Sequence, residues 1–142
     1  MSGFLLDTNC ISEVVRIQPN SRVLRWLETA DERMLYLSVL TLGEIRKGVA
    51  GLAEGRRRTQ LECWLDTDLR QRFAGRILPV DAAVADHWGR LAGEAIRTGI
   101  SIPVVDAILA ATATLHGLTI VSRNVSDFRH TQAAVFNPWA SA

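Results

Sequence analysis

The chain of 142 residues holds one lysine, one tyrosine, two cysteines and three histidines, and each scarcity closes off a class of function. Cys10 and Cys63 are too few for a disulfide framework and lack metal-knuckle spacing, so reduced thiols and a cytoplasmic setting are expected. His87, His116 and His130 form no His-x-x-x-His pair, which speaks against zinc. With 16 basic and 15 acidic residues the formal net charge is +1, which leaves neither a basic polyanion-binding tail nor an acidic disordered one. The N-terminus has no basic region followed by an apolar stretch and a cleavage pattern, so no signal peptide is expected. Repeats, low-complexity tracts and linkers are missing too, and a single domain over 1–142 follows. One apolar run, Ile100 to Val121, is long enough to cross a bilayer. Pro103, Gly117 and the β-branched Thr119-Ile120-Val121 divide it into helix, turn and strand, so no membrane association is expected.

Hydrophobic residues make up 48% of the chain, enough for one substantial core. All basic residues but Lys47 are arginine, a bias that suits planar pairing with carboxylates or phosphates and that GC-rich coding produces equally well. Short apolar runs alternate with helical patterns. Gly3 to Asp7, Met34 to Ser38, Arg76 to Val80, Leu118 to Val121 and Ala133 to Phe136 read as strands. Helices are expected at Asn9 to Arg16, and from Pro19-Asn20 with Val23, Trp26, Leu27 and Ala30 on one face. Another runs from Thr41 to near Gly55, striped by Leu42, Ile45, Val49 and Leu52, and the next begins at Arg56 with Leu61, Leu65 and Leu69. Asp81 caps a helix carrying Val84, Trp88, Leu91 and Ala95 and stopped by Gly99. Pro103 opens a further helix that Gly117 ends, and Asn124 to Phe128 reads as a helical turn. This alternation predicts an α/β fold: a mostly parallel, about five-stranded sheet covered on both faces. Ligands of such sheets gather outside the carboxyl ends of the strands.

Several acids fall near such ends. Asp7 closes the first strand in Phe4-Leu5-Leu6-Asp7-Thr8-Asn9 and reads either as a helix cap or as a ligand. Asp106 has Ile102, Pro103, Leu109 and Ala110 one turn away, so a buried carboxylate there needs a distant arginine, the helix dipole, a proton or a metal. Glu44 lies beside its helix's apolar stripe with Thr41, Gly48 and Gly51, which leaves room for a ligand; Lys47, three residues on, offers a surface ion pair instead. Ser122-Arg123-Asn124 directly follow a strand, with Asp127 one turn later; Asn124 and Asp127 read equally as capping and first-turn residues. Carboxylates that converge need a cation, and a carboxylate-and-water donor set points to Mg²⁺ or Mn²⁺. Arg56, Arg57 and Arg58 form a candidate phosphate-binding patch, although three adjacent helical positions fan out over about 200° and commonly make a solvated face. Trp26, Trp64 and Trp88 fit apolar stripes and read as core or dimer packing; Trp139 stays open.

The ordered set Leu6-Asp7-Thr8-Asn9, Thr41-Leu42-Gly43-Glu44-Ile45, Asp106-Ala107-Ile108-Leu109-Ala110-Ala111-Thr112-Ala113 and Ser122-Arg123-Asn124 resembles the PIN domain. The closing Val135-Phe136-Asn137-Pro138-Trp139 resembles the VapC/FitB-type toxin branch, and the likeness runs the whole chain. The resemblance implies a three-layer α/β/α sandwich and a ribonuclease toxin with Mg²⁺ or Mn²⁺ at Asp7, Glu44 and Asp106. It also implies a small VapB/FitA-like antitoxin whose C-terminal segment occupies the active groove. Homodimers, and heterotetramers or larger assemblies with the antitoxin, go with it. The implied substrate is structured RNA, often transfer RNA, cut to a 5′-phosphate and a 3′-hydroxyl. Thr8, Asn9, Ser122 and Arg123 would support the acids or position the substrate. Many relatives carry a fourth acid where this chain has Asn124, so Asn124 or Asp127 acting through water, and one metal rather than two, are the corresponding expectations.

Three rivals remain at this level. A haloacid-dehalogenase-like phosphatase would use Asp7 as nucleophile but wants an acid where Asn9 stands. A phospho-receiver domain needs a late strand-end lysine, and Lys47 is on a helix. A catalytically silent PIN-fold module binding protein or nucleic acid gives no reason for an unpaired Asp106.

Overall fold

A computed structural model describes residues 3–140, so the first two and last two positions of the expected 1–142 domain lie outside the described residues. Five strands form one parallel sheet: β1 (Phe4–Leu6), β2 (Leu35–Ser38), β3 (Ile77–Leu78), β4 (Thr119–Val121) and β5 (Val135–Phe136), in the order β3-β2-β1-β4-β5. Register is set by Phe4 opposite Leu35 on one side of β1 and Phe4 opposite Thr119 on the other. The chain builds outward from β1 to β3 and then crosses to β4 on the far side. The switch point therefore falls between β1 and β4, where α/β sheets open a crevice at the strands' carboxyl ends.

Both faces are covered, as the near-continuous apolar strands require. Leu6, Leu35, Leu37 and Val121 point to one face, packed by α1 (Thr8–Ser12), α2 (Ser21–Thr29), α3 (Val39–Ala50) and α4 (Arg56–Cys63), with Cys10, Val23, Leu27, Ile45 and Val49 fully or nearly buried. Leu5 and Ile120 point to the other, where α7 (Val104–His116) brings Leu109, Ala110 and Ala113. Each such large aliphatic side chain contributes about 1.5–3 kcal/mol by leaving water. The sheet is thus the middle of a three-layer α/β/α sandwich. Outside α7 lies α6 (Ala82–Arg97), capped by Asp81 as its sequence predicts. Gly117 ends α7 at φ +64°, a left-handed conformation that glycine adopts without strain, and turns the chain into β4. At Gly3 a Cβ would sit 2.6 Å from the Met34 carbonyl oxygen, so only glycine lets β1 approach this closely.

Several local expectations shift, and the helix expected over Asn9 to Arg16 is α1 followed by a 3₁₀ turn at Glu13–Val15. α3 begins at Val39, not Thr41, because Ser38 at the end of β2 caps the Leu40 N–H at 3.0 Å. It ends at Ala50, so Leu52 leaves the stripe and stands 39% exposed. The helix from Arg56 widens into a π-helical stretch at Trp64–Leu69 before α5 (Arg70–Arg72), which keeps Leu65, Leu69 and Phe73 all facing the core. Among the described residues no helix is long and apolar enough to cross a membrane.

Candidate active site

β1 delivers Asp7 to the crevice. Its backbone N–H still donates to the Val121 carbonyl at 2.9 Å, so the ladder with β4 runs one residue past the strand. Its Oδ1 accepts the Thr8 N–H at 2.8 Å and caps α1, while Oδ2 accepts the Ser122 hydroxyl at 2.7 Å. The capping reading of Asp7 is therefore real and does not exhaust the residue, because the second oxygen is tied to the end of β4. Burial raises the carboxyl above its ordinary value. The bonds from Ser122 and Thr8 oppose that rise, and the charges of Glu44 and Asp127 add to it.

Glu44 comes from the second turn of α3. The Thr8 hydroxyl donates to its Oε1 at 2.6 Å. Lys47 is exposed and makes no ion pair with Glu44 among the described residues, so the local neutralisation that the sequence offers is not used. Asp106 sits in the first turn of α7, half-buried rather than enclosed by apolar neighbours. Its carboxyl is pushed up to about 6, first by burial and then by the negative charges of Asp7, Asp127 and Glu44. Asp127, exposed in the 3₁₀ turn Val125–Phe128, is thereby a fourth member of one electrostatic group.

Ser122 is the hub that joins the two central strands. Besides donating to Asp7, its hydroxyl accepts the Asn124 N–H at 3.0 Å and the Asn9 side-chain amide at 3.3 Å. The Asn9 carbonyl oxygen in turn accepts the Arg123 N–H at 3.3 Å. Asn124 precedes the turn Val125–Phe128 without capping it through its side chain, and its amide makes no hydrogen bond among the described residues. The Arg123 guanidinium lies 5.9 Å from the Trp139 ring centre and pairs with none of the acids among the described residues. Sequence reasoning assigned Thr8, Asn9 and Ser122 only a general supporting role. Their partners are set by side-chain geometry between residues up to 115 positions apart, which no local pattern encodes.

The donor set fits a divalent cation. It consists of hard oxygen atoms, the charges of Glu44 and Asp127 raise the proton affinity of Asp7 and Asp106, and none of the four acids has an arginine or lysine partner among the described residues. As the side chains stand, no three histidine, cysteine or acidic groups among the described residues close around a single point. Gathering the acids about an ion calls for side-chain rotation, which mutual repulsion opposes until the charge is neutralised.

The Arg56–Arg58 patch is not an open one. Arg57 donates to the Val15 carbonyl, and Arg58 donates to the Leu52 carbonyl at 3.2 Å and pairs with Glu62. Two of the three guanidinium groups thus tie α4 to its surroundings, because the turn before α4 and the 3₁₀ turn Glu13–Val15 after α1 lie within their reach. Among them Arg56 alone makes no such bond within the described residues. Trp26 packs edge-on to Phe4 with ring centres 5.1 Å apart, as its stripe predicts.

The PIN domain profile matches residues 4–133. Toxin FitB of Neisseria gonorrhoeae is 43% identical over 135 residues, covering 95% of this chain and 97% of its own length. VapC ribonuclease Y4jK of Sinorhizobium fredii is 36% identical over 138 residues, covering 97% and 99%. The solved structure of FitAB bound to an IR36 DNA fragment superposes with a TM-score of 0.91 at 40% identity, covering 98% of this chain and 97% of its counterpart.

Proposed function

The chain belongs to the PIN-domain family, and on that premise we propose that it is the toxin of a type II toxin–antitoxin pair, a divalent-metal-dependent endoribonuclease forming one unit over 1–142. The observation that carries the reading is that Asp7, Glu44, Asp106 and Asp127 lie near enough at the β1–β4 crevice for their charges to act on Asp7 and Asp106, without a cationic partner among the described residues and with Asp106 pushed up to about 6. Asp7, Glu44 and Asp106 would hold Mg²⁺ or Mn²⁺, with Asp127 or the Asn124 amide reaching it through water. The chemistry such an ion supplies is polarisation of a phosphate oxygen and neutralisation of the charge that builds up in the transition state.

The chain's own residues do the positioning. Ser122 and the Thr8 N–H fix the two oxygens of Asp7, and the Thr8 hydroxyl fixes Glu44. Asp106, with its raised proton affinity, can hold a proton near neutral pH or give it up to a cation. Arg123 stands at the rim, where a phosphodiester backbone enters. Membership of the PIN family displaces the dehalogenase-like alternative, whose acid/base position is Asn9, a residue engaged with Ser122 and Arg123.

A groove of about 380 Å³ runs from Thr8 and Glu44 past Val49, Leu61 and Trp64. It supports the seating of an antitoxin's C-terminal segment against the acids, in a homodimer that assembles with its antitoxin into a heterotetramer or larger. RNA, with transfer RNA as a candidate, is the substrate. The test compares RNA cleavage by the wild type and Asp106→Asn with Mg²⁺ or Mn²⁺ and then with EDTA. Cleavage is expected only from the wild type with metal; equal cleavage by both proteins, or cleavage that survives chelation, overturns the mechanism.

A further inference from the structure

A second groove, of about 710 Å³, lies around the open edge of β5, in the size range of pockets that hold whole ligands, about 300–1,000 Å³. One wall is a single stripe of α2, with Arg22, Arg25 and Trp26 at i, i+3 and i+4; the other is built from Val125, Phe136 and Pro138. Phe136 is 39% exposed, and its ring lies 5.5 Å from Trp26, so part of an aromatic face is open to an incoming flat group. Arg25 is exposed and makes no side-chain bond among the described residues; Arg22 spends one nitrogen on the Trp139 carbonyl at 3.2 Å. No carboxylate among the described residues lines the groove, so the two arginines leave it positive.

The groove's wall is joined to the acid crevice through the sheet. The Phe136 carbonyl accepts the Ser122 N–H at 3.0 Å, and Ser122 holds Asp7. Val125 follows Asn124 directly. β5 is two strand spacings from β1, about 10 Å, so a polynucleotide cut at the acids passes this mouth within its next nucleotides. An aromatic platform flanked by arginines and lacking acids is how proteins hold an unpaired nucleotide: the base stacks and the cations meet the phosphates.

We infer that the groove between α2 and β5 is a subsite for a single-stranded nucleotide flanking the cleaved bond, its base against Phe136 and its phosphate at Arg25 and Arg22. The inference rests on the ribonuclease reading for the identity of the ligand.

The test measures binding of a fluorescent single-stranded RNA to the full chain in EDTA, so that no cleavage is needed. Arg25→Gln weakens binding and lowers the slope of log affinity against log salt by about 0.7, the loss of one phosphate contact on a single strand. Phe136→Ala weakens it by about 5-fold to about 100-fold, the range of one lost base stack. Phe136→Tyr, which keeps ring and packing, restores it, and this separates stacking from misfolding. Removing a flanking base from the RNA costs the same affinity, and Phe136→Ala then adds nothing further. Unchanged RNA affinity and salt slope in Arg25→Gln and Phe136→Ala overturn the subsite, even if the wild type cleaves RNA. Weakened self-association or antitoxin binding with RNA affinity intact overturns it in favour of a protein interface. Loss of RNA binding in both variants of a protein that never cleaves RNA leaves the subsite standing and removes the nuclease.

Discussion

Two regions of this molecule use the same ingredients to opposite ends. Beneath β2 and β3, Glu32 sits between Arg72 and Arg76, with Arg72 Nε at 3.0 Å and Arg76 Nη2 at 3.1 Å from its carboxylate. Burial acts to raise the Glu32 carboxyl, but hydrogen bonds and charge from the two arginines outweigh it and hold the group below its ordinary value. Both guanidinium groups also lie about 5 Å from the Phe73 ring centre, and Arg76 reaches the Leu35 carbonyl at 2.6 Å. At the β1–β4 crevice the acids find one another instead, and Asp106 rises to about 6. The first cluster is complete and serves the fold. The second is electrostatically incomplete, and carboxylates left in that state attract positive charge.

The largest effect that separates them is Asp106→Asn, which lowers RNA cleavage by more than about 100-fold, beyond the 10–100-fold usual for groups that merely support a metal ligand. Its stability effect runs the other way. In EDTA, folded Asp106 keeps a proton that the unfolded chain releases between its ordinary value of 3.8 and about 6, so wild-type stability falls as pH rises through that window. Thermal melts from pH 4 to 8 should show a part of that fall missing in Asp106→Asn. Glu32→Gln tests the opposite sign, since a depressed carboxyl adds stability above its ordinary value that is lost as pH falls. Next in size, Arg76→Ala should cost about 2–3 kcal/mol in urea unfolding, the scale of lost charged hydrogen bonds, with cleavage per folded molecule unchanged. A comparable loss of activity would mean that the two regions are coupled. Ser122→Ala should lower cleavage by about 10–100-fold by freeing Asp7, with a smaller stability loss than Arg76→Ala. Least of all, Lys47→Gln should shift stability within about 0.5 kcal/mol and leave cleavage intact, because Lys47 stands near Glu44 without pairing to it.

What could be read in the sequence was whatever depends on local order. The strand β1, the Asp81 cap and the Gly117 stop all follow from period, capping and backbone preference. The shifted start of α3 shows the limit: Ser38 is both the last residue of β2 and a cap, and a pattern of apolar residues cannot divide one residue between two elements. Arg57 and Arg58 looked like a surface patch because the carbonyls they bond, at Val15 and Leu52, are identified only once α1, α3 and α4 pack. The four acids were visible as residue types, Asp7 at a strand end, Asp106 and Asp127 in first turns and Glu44 beside an apolar stripe. Their shared electrostatics, and the role of Ser122 as hub, come from the β1–β4 pairing, a contact between distant parts of the chain. The groove beside β5 was harder still. Trp26 reads as part of the buried face of α2 and the exposed Arg22 and Arg25 do not, and only the packing of Phe136 beside Trp26 shows that the three line one groove.

The bond between Ser122 and Asp7 spans 115 residues, and it gives the protein a built-in delay. At a synthesis rate of about 5–20 residues per second, Ser122 is made on the order of 10 s after Asp7. Until β4 pairs with β1, the Asp7 carboxylate has only its cap on α1 and the crevice has one wall. A nascent or truncated chain ending before β4 therefore carries three of the four acids in sequence but no assembled site. A cell that makes this chain meets an assembled site only after β4 has been made.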